Sequence, residues 1–370
     1  MESRREILIG LSISLTGKFS DQGQQALDGL RLWQSYVNGR GGITVGQAAP
    51  QPVQLVFYND QSRASLAREN ALRLLRQDRV DVLFGPYSSG LTMTVAEVAR
   101  QHGKALWNHG GSSDEIFNRS SKHVVSTPTP ASDYLRDLPR RLSRATPAPR
   151  KIRIVHSARG TFASHVARGV VQAATCESAV ELTSYSTLDV DVVVRELCAS
   201  RPEILVLAGD FEQEIQIMRA RQRWPGSIQT VAAVAAGVRA FGDELGCAAM
   251  GVIGPSQWEA HASHFADIGP DAVWFVRNFR EQFGRQPEYI AAGSFAVGLI
   301  FEECVRHAGS LQDSDVLAAA AELDCFTLYG RFRLASGGGR QVGHRILLVQ
   351  WDQGHKVLLP ATGPPRTPVH

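Results

Sequence analysis

The sequence predicts an α/β protein of two lobes, each a parallel sheet covered on both faces by helices. Strand and helix patterns alternate along most of the chain, the pattern of helix-covered parallel sheets. The alternation starts afresh after the proline-bearing stretch Ser126-Thr-Pro-Thr-Pro130. At 370 residues, the chain is also long enough for two domains.

The elements follow in order. Ile7 to Leu15 is a continuous β-favouring run long enough for a buried strand, and Thr16-Gly17 followed by Gly23 marks a turn. Ala26, Leu27, Leu30, Trp33 and Val37 then recur at helical spacing up to Asn38-Gly39, where Gly-Arg-Gly-Gly offers positive-φ conformations. Strand Val53 to Tyr58 closes on Asn59-Asp60. After it come helix Leu66 to Gln77, strand Val80 to Phe84, helix Leu91 to His102 and strand Ala105 to Asn108. The second series opens with strand Ile152 to His156 and a helix around Ala163 to Ala174. A variable stretch to Asp191 precedes strand Ile204 to Ala208, helix Glu212 to Arg223, and strands Gln229 to Ala233 and Ala249 to Gly254. Past Pro255 the pattern is helical over Ala272 to Phe283, Ser294 to Ala308 and Val316 to Leu323, before late strands Gly330 to Leu334 and Ile346 to Trp351. The tail from Ala361 to His370 carries too little apolar surface to pack and is expected to be disordered.

Composition removes several function classes. A net charge of +3 from 39 basic and 36 acidic residues is nearly balanced, and no basic stripe interleaves with aromatics as a nucleic-acid groove requires. Apolar runs fall short of the roughly 20 residues that span a membrane. The opening Met1-Glu-Ser-Arg-Arg-Glu6 lacks the apolar stretch of a signal peptide, so either the signal is absent from this sequence or the protein is cytoplasmic. The five cysteines show no CxxC spacing. Cys304 and Cys325 are conceivable disulfide partners, with small buried hydrophobes the alternative. GxGxxG after a strand, GxxxxGK[ST], GxSxG and HExxH are all missing, so no cofactor or catalytic role is expected. His261, His264 and Asp267 have helical spacing that could present metal ligands, but a surface helix is the expectation and no metal is assigned.

Two strand ends carry binding chemistry. Strand Val80 to Phe84 runs into Gly85-Pro-Tyr-Ser-Ser-Gly90 before a helix, placing the hydroxyls of Ser88 and Ser89 and unpaired N–H groups at a helix N-terminus. Either serine could also cap that helix. Strand Ala105 to Asn108 runs into His109-Gly110-Gly111-Ser112-Ser113-Asp114, a second polar rim at the same sheet edge, where ligands of open α/β sheets bind. In the second series, Phe162 follows the strand ending at His156, and Gly209-Asp210-Phe211 follows the strand ending at Ala208.

The opening strand, glycine-marked loop, helix and Gly-Gly-Ile exit, followed by Val53 to Tyr58 closing on Asn59-Asp60, resemble type I periplasmic binding proteins. More narrowly, they are similar to the leucine/isoleucine/valine-binding branch that serves ABC importers, and the resemblance runs from Ile7 to about Pro360. It implies two Rossmann-like lobes with parallel central sheets, joined by a three-strand hinge whose crossings fall near Ser126, Ser256 and Leu328. Lobe one would hold residues 1–125 and 257–328; lobe two, 126–256 and 329–360. It implies capture of an amino acid or related small carboxylate between the lobes by hinge closure, delivery to membrane permease subunits, and a periplasmic or other extracytoplasmic location. By the same resemblance the Tyr87-Ser88-Ser89 turn holds the ligand carboxylate, and Gly110-Gly111-Ser112 fits the family's Gly-Ala-Thr-like turn. Phe162 matches an aromatic that closes over the ligand, Asp210 and Phe211 lie in the neighbouring loop, and Gln22, placed in the first loop, matches a ligand-touching position. One departure stands out. Where α-amino-acid binders often carry an acid for the ligand ammonium, this chain reads Val234-Ala235-Ala236-Gly237. A buried ammonium needs a counter-charge, so either Asp210 supplies it or the ligand has no ammonium. A ligand-sensing receptor or regulator on the same fold, similar to the amide sensors, is the alternative.

Overall fold

Ile7, Ile9, Leu11 and Ile13 of the first strand, β1 (Ile7–Ile13), enter one core, while Leu8 packs into a second core on the opposite face. Such two-sided burial is the mark of a central parallel strand. The computed structural model describes residues 6–119, 122–144, 150–174, 179–262 and 265–360. After β1 come α1 (Ser20–Gly39), β2 (Val53–Asn59), α2 (Ala64–Arg76), β3 (Val82–Phe84), α3 (Ser89–Gln101), β4 (Leu106–Asn108), α4 (Glu115–Arg119) and β5 (Val124–Ser126). The strands form a parallel sheet in the order β2-β1-β3-β4-β5.

The chain continues through α5 (Leu138–Leu142), β6 (Lys151–Ser157), α6 (Phe162–Ala173), β7 (Ala179–Tyr185), α7 (Val190–Ser200), β8 (Ile204–Ala208), α8 (Phe211–Arg219), β9 (Thr230–Ala233), α9 (Arg239–Leu245) and β10 (Ile253–Ser256). Then follow α10 (Ala272–Phe283), α11 (Tyr289–Ala308), α12 (Asp313–Glu322), the hairpin β11 (Asp324–Thr327) and β12 (Gly330–Arg333), and finally β13 (Leu347–Asp352) and β14 (His355–Leu358). The second sheet has the order β14-β13-β10-β9-β8-β6-β7; β6 to β10 are parallel, and β13 and β14 extend the sheet antiparallel. The variable stretch before Asp191 forms β7, an edge strand that is half-buried to exposed along its length and so lacks a continuous apolar run.

Two compact units result: residues up to Pro130 with Gln257–Arg345, and Ala131–Ser256 with the residues from Ile346 onward. The chain therefore passes between them three times. The last passage lies at Arg345 and Ile346, not at Leu328, and residues 126–130 and 329–345 belong to the first unit. The reason is packing. The hairpin runs through Leu328, and Leu328, Tyr329, Phe332 and Leu334 are buried in the first unit's core. His344 stacks on Tyr329 at 4.6 Å, with its Nδ1 2.6 Å from Thr129 Oγ1.

In the first unit α1 and α11 lie over one sheet face with an aromatic cluster beneath them. Phe301 meets Phe84 edge-on at 5.7 Å and Trp107 at 5.2 Å. Helices α2 and α3 cover the other face. In the second unit α5 and α6 pack on one face, and α7, α8 and α9 on the other. Cys304 and Cys325 are buried free thiols, and Cys198 and Cys247 are exposed free thiols; Cys176 and the tail from Ala361 lie outside the described residues. Among the described residues no helix is long and apolar enough to cross a membrane.

Candidate functional site

Parallel strands all deliver their C-terminal ends to one edge of the sheet. In the first unit the chain goes from β1 outward to β2 on one side and to β3 on the other; in the second, β6 is flanked in the same way by β7 and β8. Loops leaving neighbouring strands in opposite directions open a crevice at each switch point. The loops after β1 and β3, and those after β6 and β8, are therefore the candidate site surfaces, and each unit contributes its own.

In the first unit, the loop after β1 is fixed from β2. Asp60 accepts from Ser12 Oγ at 3.1 Å, Ser14 Oγ at 2.5 Å and Ser62 N at 2.9 Å. Phe19, just before α1, meets the Tyr87 ring edge-on at 5.7 Å, and the Tyr87 hydroxyl lies 3.1 Å from that of Tyr289, the first residue of α11. Gln22 sits within the first turn of α1 and not in the preceding loop; its Oε1 is buried with no hydrogen-bond partner among the described residues.

The turn after β3 is built as an N-cap. Ser88 has φ +83°, uncommon for a residue with a Cβ, and its Oγ accepts from Leu91 N at 3.4 Å. Ser89, the first residue of α3, instead reaches the neighbouring turn, where its Oγ accepts from Ser112 N at 3.2 Å and Ser113 N at 3.0 Å. Asn108 locks the same turn, accepting on Oδ1 from Gly110 N at 3.1 Å and Gly111 N at 2.8 Å, and donating from Nδ2 to Ser126 Oγ at 2.8 Å. The backbone donors from Gly110 to Ser113 are thus all occupied within the turn. Close approach demands the glycines: a Cβ on Gly110 would lie 2.7 Å from Pro86 O and Tyr87 Cα, and one on Gly111 2.6 Å from the Thr92 side chain. His109 is buried beside this turn, and neither ring nitrogen meets hydrogen-bond geometry with any described residue. Burial pushes its pKa down to about 4; the Gly85 backbone lies near enough only to oppose the shift.

In the second unit, Phe162 opens α6 and stacks edge-on against Tyr134 at 5.2 Å, so its ring packs within its own unit. Asp210 caps α8 in a reciprocal box with Gln213, whose Oε1 accepts from Asp210 N at 3.2 Å. Phe211 packs on the core under α7, α8 and α9. Ala235 is buried in a short 3-10 turn, Val234–Gly237. Beneath both loops lies Glu214 of α8, 0% exposed, whose carboxylate accepts from Gly209 N at 2.7 Å and Ala235 N at 2.8 Å. Burial drives its pKa up to about 8 against the opposing pull of those N–H groups. Burial first, and then the negative charge of Glu214 and Asp210, also raises that of Tyr185.

The structure thus gathers Tyr87, Ser88, Ser89, Gly110, Gly111 and Ser112 at one sheet edge of the first unit, and Phe162, Asp210, Phe211 and Ala235 at strand ends of the second. Glu214, Asn108 and His109 adjoin these candidate loops and were not among the residues that sequence reasoning singled out. For Asn108 the signal was its place at the strand end before Gly-Gly; for Glu214, an acid on a helix face between two candidate loops. No group of side chains suited to a metal occurs among the described residues. His261 and Asp267 lie in non-helical segments, against the expectation of a surface helix, and Asp267 is tied to Phe326 N at 2.9 Å; His264 is outside the described residues.

Known structures share the fold throughout. The chain is similar to the leucine-binding protein of Thermotoga maritima, at 14% identity over 97% of this chain and 99% of that one, with a TM-score of 0.81. It is similar to a branched-chain amino acid transporter substrate-binding protein of Streptococcus pneumoniae in complex with isoleucine, at 16% identity over 95% and 97%, TM-score 0.79. It is also similar to an ABC-transporter solute-binding protein of Rhodopseudomonas palustris in complex with 3,4-dihydroxybenzoic acid, at 17% identity over 99% of both chains, TM-score 0.77. The family model described as periplasmic binding protein matches residues 6–356, and the chain belongs to that family.

Proposed function

We propose that the protein captures a small carboxylate-bearing solute, an amino acid or a related acid, for an ABC importer. It works outside the cytoplasm, hands the solute to membrane permease subunits, and does not transform it. The observation that carries this reading is the Ser89 hydroxyl. Its oxygen already accepts two backbone N–H groups, which fills its lone-pair directions. Its proton has no acceptor among the described residues and is left for an anion at the switch point of the first sheet. Ser88 and the N-terminus of α3 favour negative charge at the same place. Leucine, isoleucine and 3,4-dihydroxybenzoic acid, the ligands named for the three similar proteins, have a carboxylate in common. Binding is coupled to rotation at the three crossings, and Tyr87, Gly110, Gly111, Ser112, Phe162, Asp210, Phe211, Ala235 and Gln22 are the remaining contacts of the proposal.

A thermal-shift and calorimetric screen of amino acids and of aliphatic and aromatic acids tests it. At about 100 times Kd a binder adds about 2.7 kcal/mol of stability, and mass spectrometry should recover it unchanged. Absence of any binder, or a product missing from a heat-killed control, would count against the reading.

A further inference from the structure

Deepening the capture reading, on whose rotation it rests, we infer that Thr129, Gln257 and His344 clamp the three crossings into one body and leave the Ser256–Gln257 peptide as the pivot of closure. The crossings lie between Pro130 and Ala131, between Ser256 and Gln257, and between Arg345 and Ile346. Thr129, Gln257 and His344 therefore stand at the first unit's end of each, and all three are buried. The Gln257 side chain holds the Thr129 backbone on both sides, accepting on Oε1 from Thr129 N at 3.0 Å and donating from Nε2 to Thr129 O at 3.2 Å. Thr129 Oγ1 lies 2.6 Å from His344 Nδ1, and His344 Nε2 donates to Tyr329 O at 3.0 Å, since a carbonyl can only accept. Gln341 joins the set: its Oε1 accepts from Gly343 N at 2.8 Å and His344 N at 3.3 Å, and its Nε2 donates to Thr127 O at 3.3 Å. The clamp links residues 128 and 215 positions apart, so these contacts close no local turn. Buried polar groups are costly to leave unpaired, and the three segments stay together while the units move.

The second unit holds the far end of each crossing by contacts of its own. Ser256 pairs with Leu347, and Pro255 with Leu348, in the ladder between β10 and β13. Ala131 is fully buried in that unit's core, and Ser132 O comes so close to α6 that a Cβ on Gly169 would lie 1.8 Å from it. From anchor to anchor the third crossing thus has Arg345 and Ile346 to spare, the first has Pro130 alone, and the second has no residue at all.

Those lengths decide what can move. Consecutive Cα atoms across a trans peptide stay about 3.8 Å apart, so Gln257 cannot shift against Ser256; only ψ of Ser256 and φ of Gln257 can turn. Pro130 adds little, because its ring locks φ at about −65°. Arg345 and Ile346 keep both of their backbone torsions. The axis therefore passes by the two short crossings, and the third bends to follow. A fixed axis limits the arrangements open to the solute-free protein, which lowers the ordering cost of capture.

Two measurements on the solute-free full chain test this. Gln257→Leu removes both contacts with Thr129 at similar volume. Hydrogen exchange read by mass spectrometry should then rise about tenfold at Thr129 and also at Gly343 and His344, whose amides bond Gln341, while β1 and β8 keep wild-type rates. His344→Phe keeps a ring over Tyr329 and should in turn raise exchange at Thr129; it carries the test if the leucine variant does not fold. A rise confined to the segment that bears the substitution overturns the clamp. For the pivot, nitroxide labels at Glu69→Cys in α2 and at the native Cys198 in α7, with Cys176→Ser and Cys247→Ser, give the distribution of distances between the units. One glycine inserted between Ser256 and Gln257 should broaden that distribution, and one inserted between Arg345 and Ile346 should leave its width unchanged. Broadening by the second insertion as great as by the first, or none by the first, overturns the pivot. The solute screen is read separately, so its failure removes capture, whereas failure of these measurements removes only the clamp and the pivot.

Discussion

Glu214 offers a quantitative handle on the second unit. Its carboxylate satisfies Gly209 N and Ala235 N from a fully buried position. Glu214→Ala removes both acceptors, and a buried donor left unsatisfied costs about 1–3 kcal/mol, so the loss should be about 2–6 kcal/mol before any refilling by water. Glu214→Gln keeps one oxygen and turns an NH2 toward the other donor, giving about half that loss. The pH dependence adds an independent signature. Burial raises the carboxyl from its ordinary 4.5 to about 8, so between these values the native state retains a proton that the unfolded chain has shed. The associated stability is complete below about pH 4.5 and is lost as pH rises through about 8. Glutamine cannot titrate, and the variant's stability should decline less steeply than wild type over that interval. Urea unfolding at several pH values, with hydrogen exchange of the Gly209 and Ala235 amides, measures both effects. An alanine variant within about 0.5 kcal/mol of wild type, together with parallel pH profiles, would refute the reasoning.

Further outcomes follow from single contacts. Ser89→Ala strips the acceptor from Ser112 N and Ser113 N; the unliganded protein should lose about 2–6 kcal/mol by urea unfolding before any refilling by water, and affinity for any hit of the screen should fall at least tenfold. Gly111→Ala would press a methyl to 2.6 Å from Thr92 and should cost about 1–3 kcal/mol. Gly90→Ala, in the helical α3 with open space around it, should gain about 0.5–1 kcal/mol; thermal unfolding of the two variants gives the contrast. Native alkylation followed by peptide mass spectrometry should label Cys198 and Cys247 and spare Cys304 and Cys325, whose thiols burial raises and hides.

The sequence was most legible where one periodicity ran without interruption. Ile7 to Ile13 and the Ala26-to-Val37 stripe declare a buried strand and its covering helix because each buried position recurs at the period of its element. β7 escaped because an edge strand half in solvent needs no apolar run. The third crossing was misplaced because a hairpin continuing through Leu328 looks, locally, like a new strand. In the site, strand-Gly-x-x-Ser-Ser-Gly-helix pointed directly to the serine turn. That Ser89 serves the neighbouring turn depends on β3 lying beside β4, which no local pattern encodes. Asp210 and Gln213, three apart, did carry the legible signature of a capping box. Glu214 could be recognised only once β8 and β9 were known to be neighbours.

The first unit's core draws on both β1 to β5 and the much later α10 to α12. During synthesis from the N-terminus, the apolar face of the first sheet must wait for α11 while the contiguous body of the second unit is made. At roughly 5–20 residues per second, that delay is on the order of 10–30 s. Throughout it, Trp33, Phe84 and Trp107 lack the Phe301 ring that seals them. The first unit can complete its core only after α11 has been made, so a chain truncated before Tyr289 leaves that sheet face without its cover.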